Sequence, residues 1–224
     1  MSTLDLTPFL KSPCLPDLVA ALNDRLMKES VDRRRFYETM TDEQKVEFID
    51  GEILMHSPAL NRHLIASMQL ATLLDTYVKI HKLGVVRHEK CLCVFPRNDY
   101  EPDIVYFGPN KAETFVPVTM QFPIPDFIVE VLSESTEHRD RGVKFEDFEA
   151  HGVGEYWIID SDAEFVEQYV FENGAYRLLL KSGSGEIASR VVEGFRIPIR
   201  AIFDSTENLT TLKNLIIEQI SVGR

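Results

Sequence analysis

Glu130 interrupts the run Phe127-Ile128-Val129-Glu130-Val131-Leu132, in which every other side chain is apolar. Such a run reads as a core strand, where an unpaired carboxylate costs several kcal/mol and must therefore meet a cation, a set of donors or a metal. A structural salt bridge meets that need as well as a metal does. The second acid is Asp103, in the segment EPDIVYF directly after Pro102, whose fixed φ and missing N–H suit the start of a strand. Alone, an Asp in that place is a common turn residue. Paired with Glu130 on a neighbouring strand, it offers hard oxygen ligands that suit Mg²⁺ or Mn²⁺ better than zinc.

Lys144 follows on the helix predicted after the Glu130 strand, a helix that must fold back over the sheet it has left. Asp140, Lys144 and Asp147 share one face of it by spacing, which fits a surface stripe with an i, i+4 Asp–Lys pair. Its position straight after the carboxylate strand also suits a cation that orients attacking water and stabilises charge developing on a phosphate.

The elements that must carry these residues are visible in the patterning. Residues 15–29 suggest an N-terminal helix with Leu18, Leu22 and Met27 on one face, followed by a basic link VDRRR. VEFIDGEILM reads as a hairpin turning at Asp50-Gly51. From Asn61 to Leu83 the positions Leu64, Met68, Ala71, Leu74 and Val78 predict a long helix, with Gly84 as its stop. VVRHEKCLCVFP, EPDIVYF and DFIVEVL follow as three strands, then a helix from Ser135 or Thr136 to His151 and a strand in EYWIID. Helix, three strands, helix and strand together mean a mixed α/β sheet flanked by helices. A hairpin turning at Asn173-Gly174, a strand near RVVEGFRIPI and a helix near 207–221 complete the chain. The expected division is an N-terminal helical extension over 1–45, a core with hairpin extensions over 46–200 and a C-terminal helix over 201–224, in one globular unit.

Composition narrows the function. A formal net charge of −12 argues against nucleic acid held across the whole surface, so any such contact must be local. Arg62, Lys79, Lys82, Arg87, Lys90 and Arg97 crowd one region, as a local binding patch or as an ordinary solvated face. No apolar run reaches the length of a membrane span and the first residues lack a signal-peptide pattern, so a cytoplasmic location is expected. Cys14, Cys91 and Cys93 are expected as free thiols; Cys91 and Cys93 with His88 have poor zinc spacing.

The segments VEFIDGEILMHSP, NRHLIASMQLATLLDTY, EPDIVYF, PDFIVEVLSEST, RDRGVKFEDFEAHGVGEYWIID and YVFENGAYRLL resemble, in unbroken order, the motifs of the Uma2 family, which is related to the PD-(D/E)XK nucleases. The resemblance implies a restriction-endonuclease-like αβββαβ core. It implies that Asp103 and Glu130, with the Val131 backbone carbonyl, hold Mg²⁺ or Mn²⁺, and that Lys144 stands in for the lysine that the superfamily carries at the position of Leu132. Glu47 and His63 also fall at positions typical of the family, as accessory groups or as structural hydrogen-bonding residues.

These residues imply metal-dependent hydrolysis of a DNA phosphodiester. The alternatives are a non-catalytic nucleic-acid or protein binding module, which the acidic charge favours, and hydrolysis of another phosphate ester. A homodimer or higher homo-oligomer is expected from apolar surface on the late hairpin and C-terminal helix.

Overall fold

The computed structural model describes residues 6–41 and 43–222, so residues 1–5, 42, 223 and 224 of the expected terminal segments lie outside the described residues. The chain opens with a short helix α1 (Thr7–Leu10) and a long one, α2 (Leu15–Thr39). The VDRRR segment, expected as a link, lies inside α2. Arg33 is the reason: its guanidinium spans both carboxylate oxygens of Asp99 at 2.7 and 2.6 Å and reaches the Phe95 and Pro96 carbonyls. Phe36, one turn later, is buried with Phe48 and Leu92. Leu22 and Met27, on the face expected from spacing, stay 55% and 69% exposed, as suits a peripheral helix.

Strands β1 (Val46–Ile49) and β2 (Glu52–Met55) form the expected hairpin, with Asp50 at φ 53° and Gly51 at φ 84° in the turn. Helix α3 (Asn61–His81) buries Ala66, Leu70, Leu73, Leu74 and Val78. The spacing is as expected, but its first turns are rotated: Leu64 and Met68 face outwards and His63 and Ser67 point in. The next segment, expected as one strand, splits into β3 (Val85–His88) and β4 (Leu92–Val94) at Glu89 and Lys90, which turn the chain at φ 58° and 44°. The two halves enter different sheets.

β5 (Asp99–Tyr100) and β6 (Ile104–Phe107) precede a short helix α4 (Pro109–Ala112), β7 (Gln121–Phe122) and β8 (Phe127–Val131). The helix expected over 135–151 is broken into α5 (Glu137–Asp140) and α6 (Val143–Ala150). Gly142 makes the break: a Cβ there would lie 2.7 Å from the His138 carbonyl oxygen, closer than any side chain tolerates. Neither Ser135 nor Thr136 caps it through its side chain, although Thr136 holds the N-cap position. β9 (Glu155–Asp160), the hairpin β10 (Phe165–Glu172) and β11 (Ala175–Ser182), β12 (Glu186–Ala188), β13 (Arg196–Pro198), a 3-10 turn at Ile199–Ile202 and α7 (Ser205–Val222) follow.

A six-stranded sheet runs in the order β11-β10-β9-β8-β6-β3, with β8 and β9 parallel and the other pairs antiparallel. The α5–α6 segment is the crossover that a parallel pair requires. A five-stranded sheet, β2-β1-β5-β4-β7, packs on one side. Strand alternation decides which residues face it. Phe127, Val129 and Val131 join the core under α3, whereas Ile128 joins the other core with Phe148 of α6 and Ile49 of β1. Glu130 shares the side of Ile128, Asp103 that of Val105, and Glu47 that of Ile49. All three acids therefore meet between the two sheets.

Candidate metal and phosphate site

Pairing of Ile104 with Val129 sets Asp103 beside the end of β8. Its Oδ2 accepts the Val131 N–H at 2.8 Å, and its own N–H points to Glu130 Oε2 at 3.4 Å. Glu130 Oε1 accepts from Lys144 Nζ at 2.8 Å. Lys144 is fully buried and also meets Glu47 at 2.9 Å and Asp140 at 3.3 Å. The stripe of Asp140, Lys144 and Asp147 is thus no surface feature: the helix break turns Asp140 and Lys144 inwards, while Asp147 accepts from Asn98 and Tyr100. The Glu130 ion pair and the proximity of Glu130 to Asp103 occur together.

Glu47 Oε1 accepts the Glu101 N–H at 3.0 Å, and Oε2 lies 3.0 Å from His56 Nε2. His63 stands 3.5 Å from Asp103 Oδ1. Lys45, which drew no attention in the sequence, places its ammonium 2.7 Å from the same oxygen and 3.6 Å from Glu89. A signal for it existed, since residues 45, 47 and 49 share one side by strand alternation. Glu89 carried none, because it sits where the strand pattern breaks.

The electrostatics follow from four buried carboxylates, Glu47, Asp103, Glu130 and Asp140, held with two ammoniums, Lys45 and Lys144. Burial pushes the Asp103 carboxyl up, but Lys45 and His63 outweigh it and hold it well below the usual range. Glu47 is held low in the same way, against its burial, by Lys144 and His56. Glu130 goes the other way: burial raises it well above the ordinary value despite Lys144, helped by Asp140 and Asp103. Burial disfavours the Lys144 ammonium, yet Glu130, Glu47 and Asp140 keep it charged far up the pH scale.

The cleft over these residues measures about 770 Å³ and is also lined by Ser133, Thr136 and Arg139. The Arg139 Nε is buried without a hydrogen-bond partner, and no carboxylate among the described residues lies in ion-pair range of it. Of the basic residues that could form a patch or a solvated face, Lys79 pairs with Asp75, Arg62 with Asp162 and Arg97 with Glu29. Cys14, Cys91 and Cys93 are free, and His88 is bonded to Ser67 at 2.8 Å. Among the described residues, the His, Cys, Asp and Glu side chains that cluster closely enough to share an ion are His63, Glu89 and Asp103. No described helix is long and apolar enough to cross a membrane.

A mixed sheet with a parallel β8–β9 step, an acid before β6 and another on β8 define a restriction-endonuclease-like α/β protein. The family model "Uma2: Putative restriction endonuclease" matches residues 33–200, and the chain belongs to that family. The chain is similar in structure to "a putative nuclease belonging to DUF820" from Anabaena variabilis ATCC 29413, with a TM-score of 0.65 and 18% identity over 79% of this chain and 96% of that one. At that identity the likeness is one of fold. No curated protein matches the chain. Membership of a restriction-endonuclease-like family implies use of a divalent metal.

Proposed function

We propose that the protein is a divalent-metal-dependent nuclease that hydrolyses phosphodiester bonds in DNA. The observation that carries this is the convergence of Asp103 and Glu130 from hydrogen-bonded strands, with Lys144 on Glu130, at the base of an open cleft.

The residues fit a divalent cation. Four buried carboxylates crowd around two ammoniums, and Asp140 Oδ2 is buried without a hydrogen bond among the described residues. Asp103, Glu130 and the Val131 carbonyl would hold Mg²⁺ or Mn²⁺, which supplies Lewis acidity and lowers the charge of a bound phosphate. The chain's own groups do the rest. Lys144 stays an ammonium and so serves as a fixed positive charge that aims the Glu130 carboxylate, not as a base. The Arg139 guanidinium, whose Nε is unpartnered among the described residues, lies beside the Ser133 and Thr136 hydroxyls and can clamp a phosphate oxygen by charge-assisted hydrogen bonds. With a net charge of −12, DNA contact is confined to this cleft. The working form is proposed to be a homodimer or higher homo-oligomer in the cytoplasm.

The test is incubation of pure protein with plasmid and single-stranded DNA plus Mg²⁺ or Mn²⁺. Cleavage should appear with the metal and vanish in Asp103→Ala; equal cleavage by that variant sinks the proposal. The acidic surface favours a second function, a non-catalytic binding module, in which calorimetric titration with Mn²⁺ would detect little affinity.

A further inference from the structure

We propose that His63, Glu89 and Asp103 form a second cation site for a transition-metal ion of the Mn²⁺ class, and that Lys45 is its tethered competitor. The inference rests on the proposed nuclease site only in sharing Asp103 with it. The three side chains come from α3, from the turn after β3 and from the start of β6, and their ligand atoms all lie within 4.8 Å of one another. Glu89 is fixed there by the backbone: its N–H donates to the Asp103 carbonyl at 3.1 Å, extending the β3–β6 pairing.

Two further observations point to a ligand. His63 is only 9% exposed; its Nε2 approaches Asp103 Oδ1 at 3.5 Å, the outer limit for a hydrogen bond, and its Nδ1 has no hydrogen-bond partner among the described residues. A buried imidazole held by one long contact is poorly satisfied unless something more uses it. The two acids of the trio also hold a cation already, the Lys45 ammonium, at 2.7 Å from Asp103 Oδ1 and 3.6 Å from Glu89 Oε2. An ammonium satisfies the two acids but offers nothing to the lone pair of an imidazole. A metal ion satisfies all three. One nitrogen and two carboxylates suit Mn²⁺, Co²⁺ or Zn²⁺ better than Mg²⁺, whose preference is for oxygen alone. Lys45 can leave, because its long flexible stem ends in a partly exposed ammonium that can swing into the cleft.

Calorimetric titration and pulsed electron paramagnetic resonance with Mn²⁺ test this on the whole chain. The wild type should bind two ions, Glu89→Gln should lose one and Glu130→Gln the other, and the bound Mn²⁺ should show nitrogen coupling that disappears in His63→Ala. Lys45→Met should keep both ions and tighten the trio's affinity by roughly tenfold or more, because a competing charge has gone. Glu89→Gln that titrates like the wild type, absent nitrogen coupling, or unchanged affinity in Lys45→Met each overturns the second site. If Glu130→Gln titrates like the wild type while Glu89→Gln loses an ion, the trio stands and the Asp103–Glu130 metal site falls. A wild type that takes up no Mn²⁺ removes both.

Discussion

Asp103 Oδ2 accepts the Val131 amide at 2.8 Å, so the acid before β6 is locked to the last residue of β8. A strand residue turns its N–H and C=O to the same side, which leaves the Val131 carbonyl on the side where Asp103 stands. Backbone geometry, not a flexible rotamer, sets how far apart the two strands hold their acids.

Asp103→Asn separates charge from shape. The amide oxygen can still accept the Val131 N–H, so the fold should be kept, but the Lys45 ammonium loses its nearer carboxylate and the melting temperature should fall. Loss of a charged metal ligand is worth several kcal/mol of transition-state stabilisation, and plasmid cleavage with Mn²⁺ should fall by about 10²–10³-fold. Circular dichroism melts and a gel assay on the same preparation check both halves.

Removal of Lys144 should hurt stability first. Lys144→Met leaves Glu47, Glu130 and Asp140 without their shared cation, which should cost about 3–5 kcal/mol in a urea titration. Adding Glu130→Gln removes one of those charges and should recover part of the loss, because the two positions are coupled. A double variant no more stable than Lys144→Met would contradict the ion cage.

Arg139→Ala should act on substrate binding. The Arg139 Nε has no hydrogen-bond partner and its guanidinium no ion pair among the described residues, so stability should change by less than about 0.5 kcal/mol. KM for DNA should rise by roughly tenfold with kcat little changed, and the salt dependence of binding should weaken by about one phosphate contact. Steady-state kinetics at several salt concentrations measure both.

Much of this site was legible in the sequence, for physical reasons. An acid inside an apolar run has few destinations, so Glu130 announced itself; Asp103 did so through Pro102 and the strand after it. Lys45 did not, because a lysine beside a strand end looks the same whether it reaches water or a buried carboxylate. The rotation of α3 and the continuation of α2 through VDRRR were hidden for a related reason. Periodicity records that a stripe exists, while the turn of the helix on the sheet depends on distant partners such as Asp99. Gly142 was visible, but its closeness to the His138 carbonyl appears only once the chain is folded.

The anchoring of α2 has a pH signature. Glu29, held by Arg97 at 2.8 Å, has its pKa lowered to about 2 by that guanidinium, against its burial and with help from Arg25. A carboxyl that is more acidic when folded contributes stability above its unfolded value of 4.5 and loses it as the pH falls towards 2. Water around the two half-exposed arginines reduces this to about 1–2 kcal/mol. Urea titrations from pH 6 to pH 3 should therefore show Glu29→Gln less stable than wild type at the upper end, with the gap narrowed to roughly half at the lower.

Lys144 rides on a short helix and not on the strand that bears Glu130, so the two halves of this ion pair belong to separate mechanical parts. Phe148, four residues further along that helix and wholly buried, is the peg that seats it. Changes around the peg can therefore tilt the ammonium without disturbing the sheet. In this lineage, charge at the centre can be retuned by repacking grease at a distance.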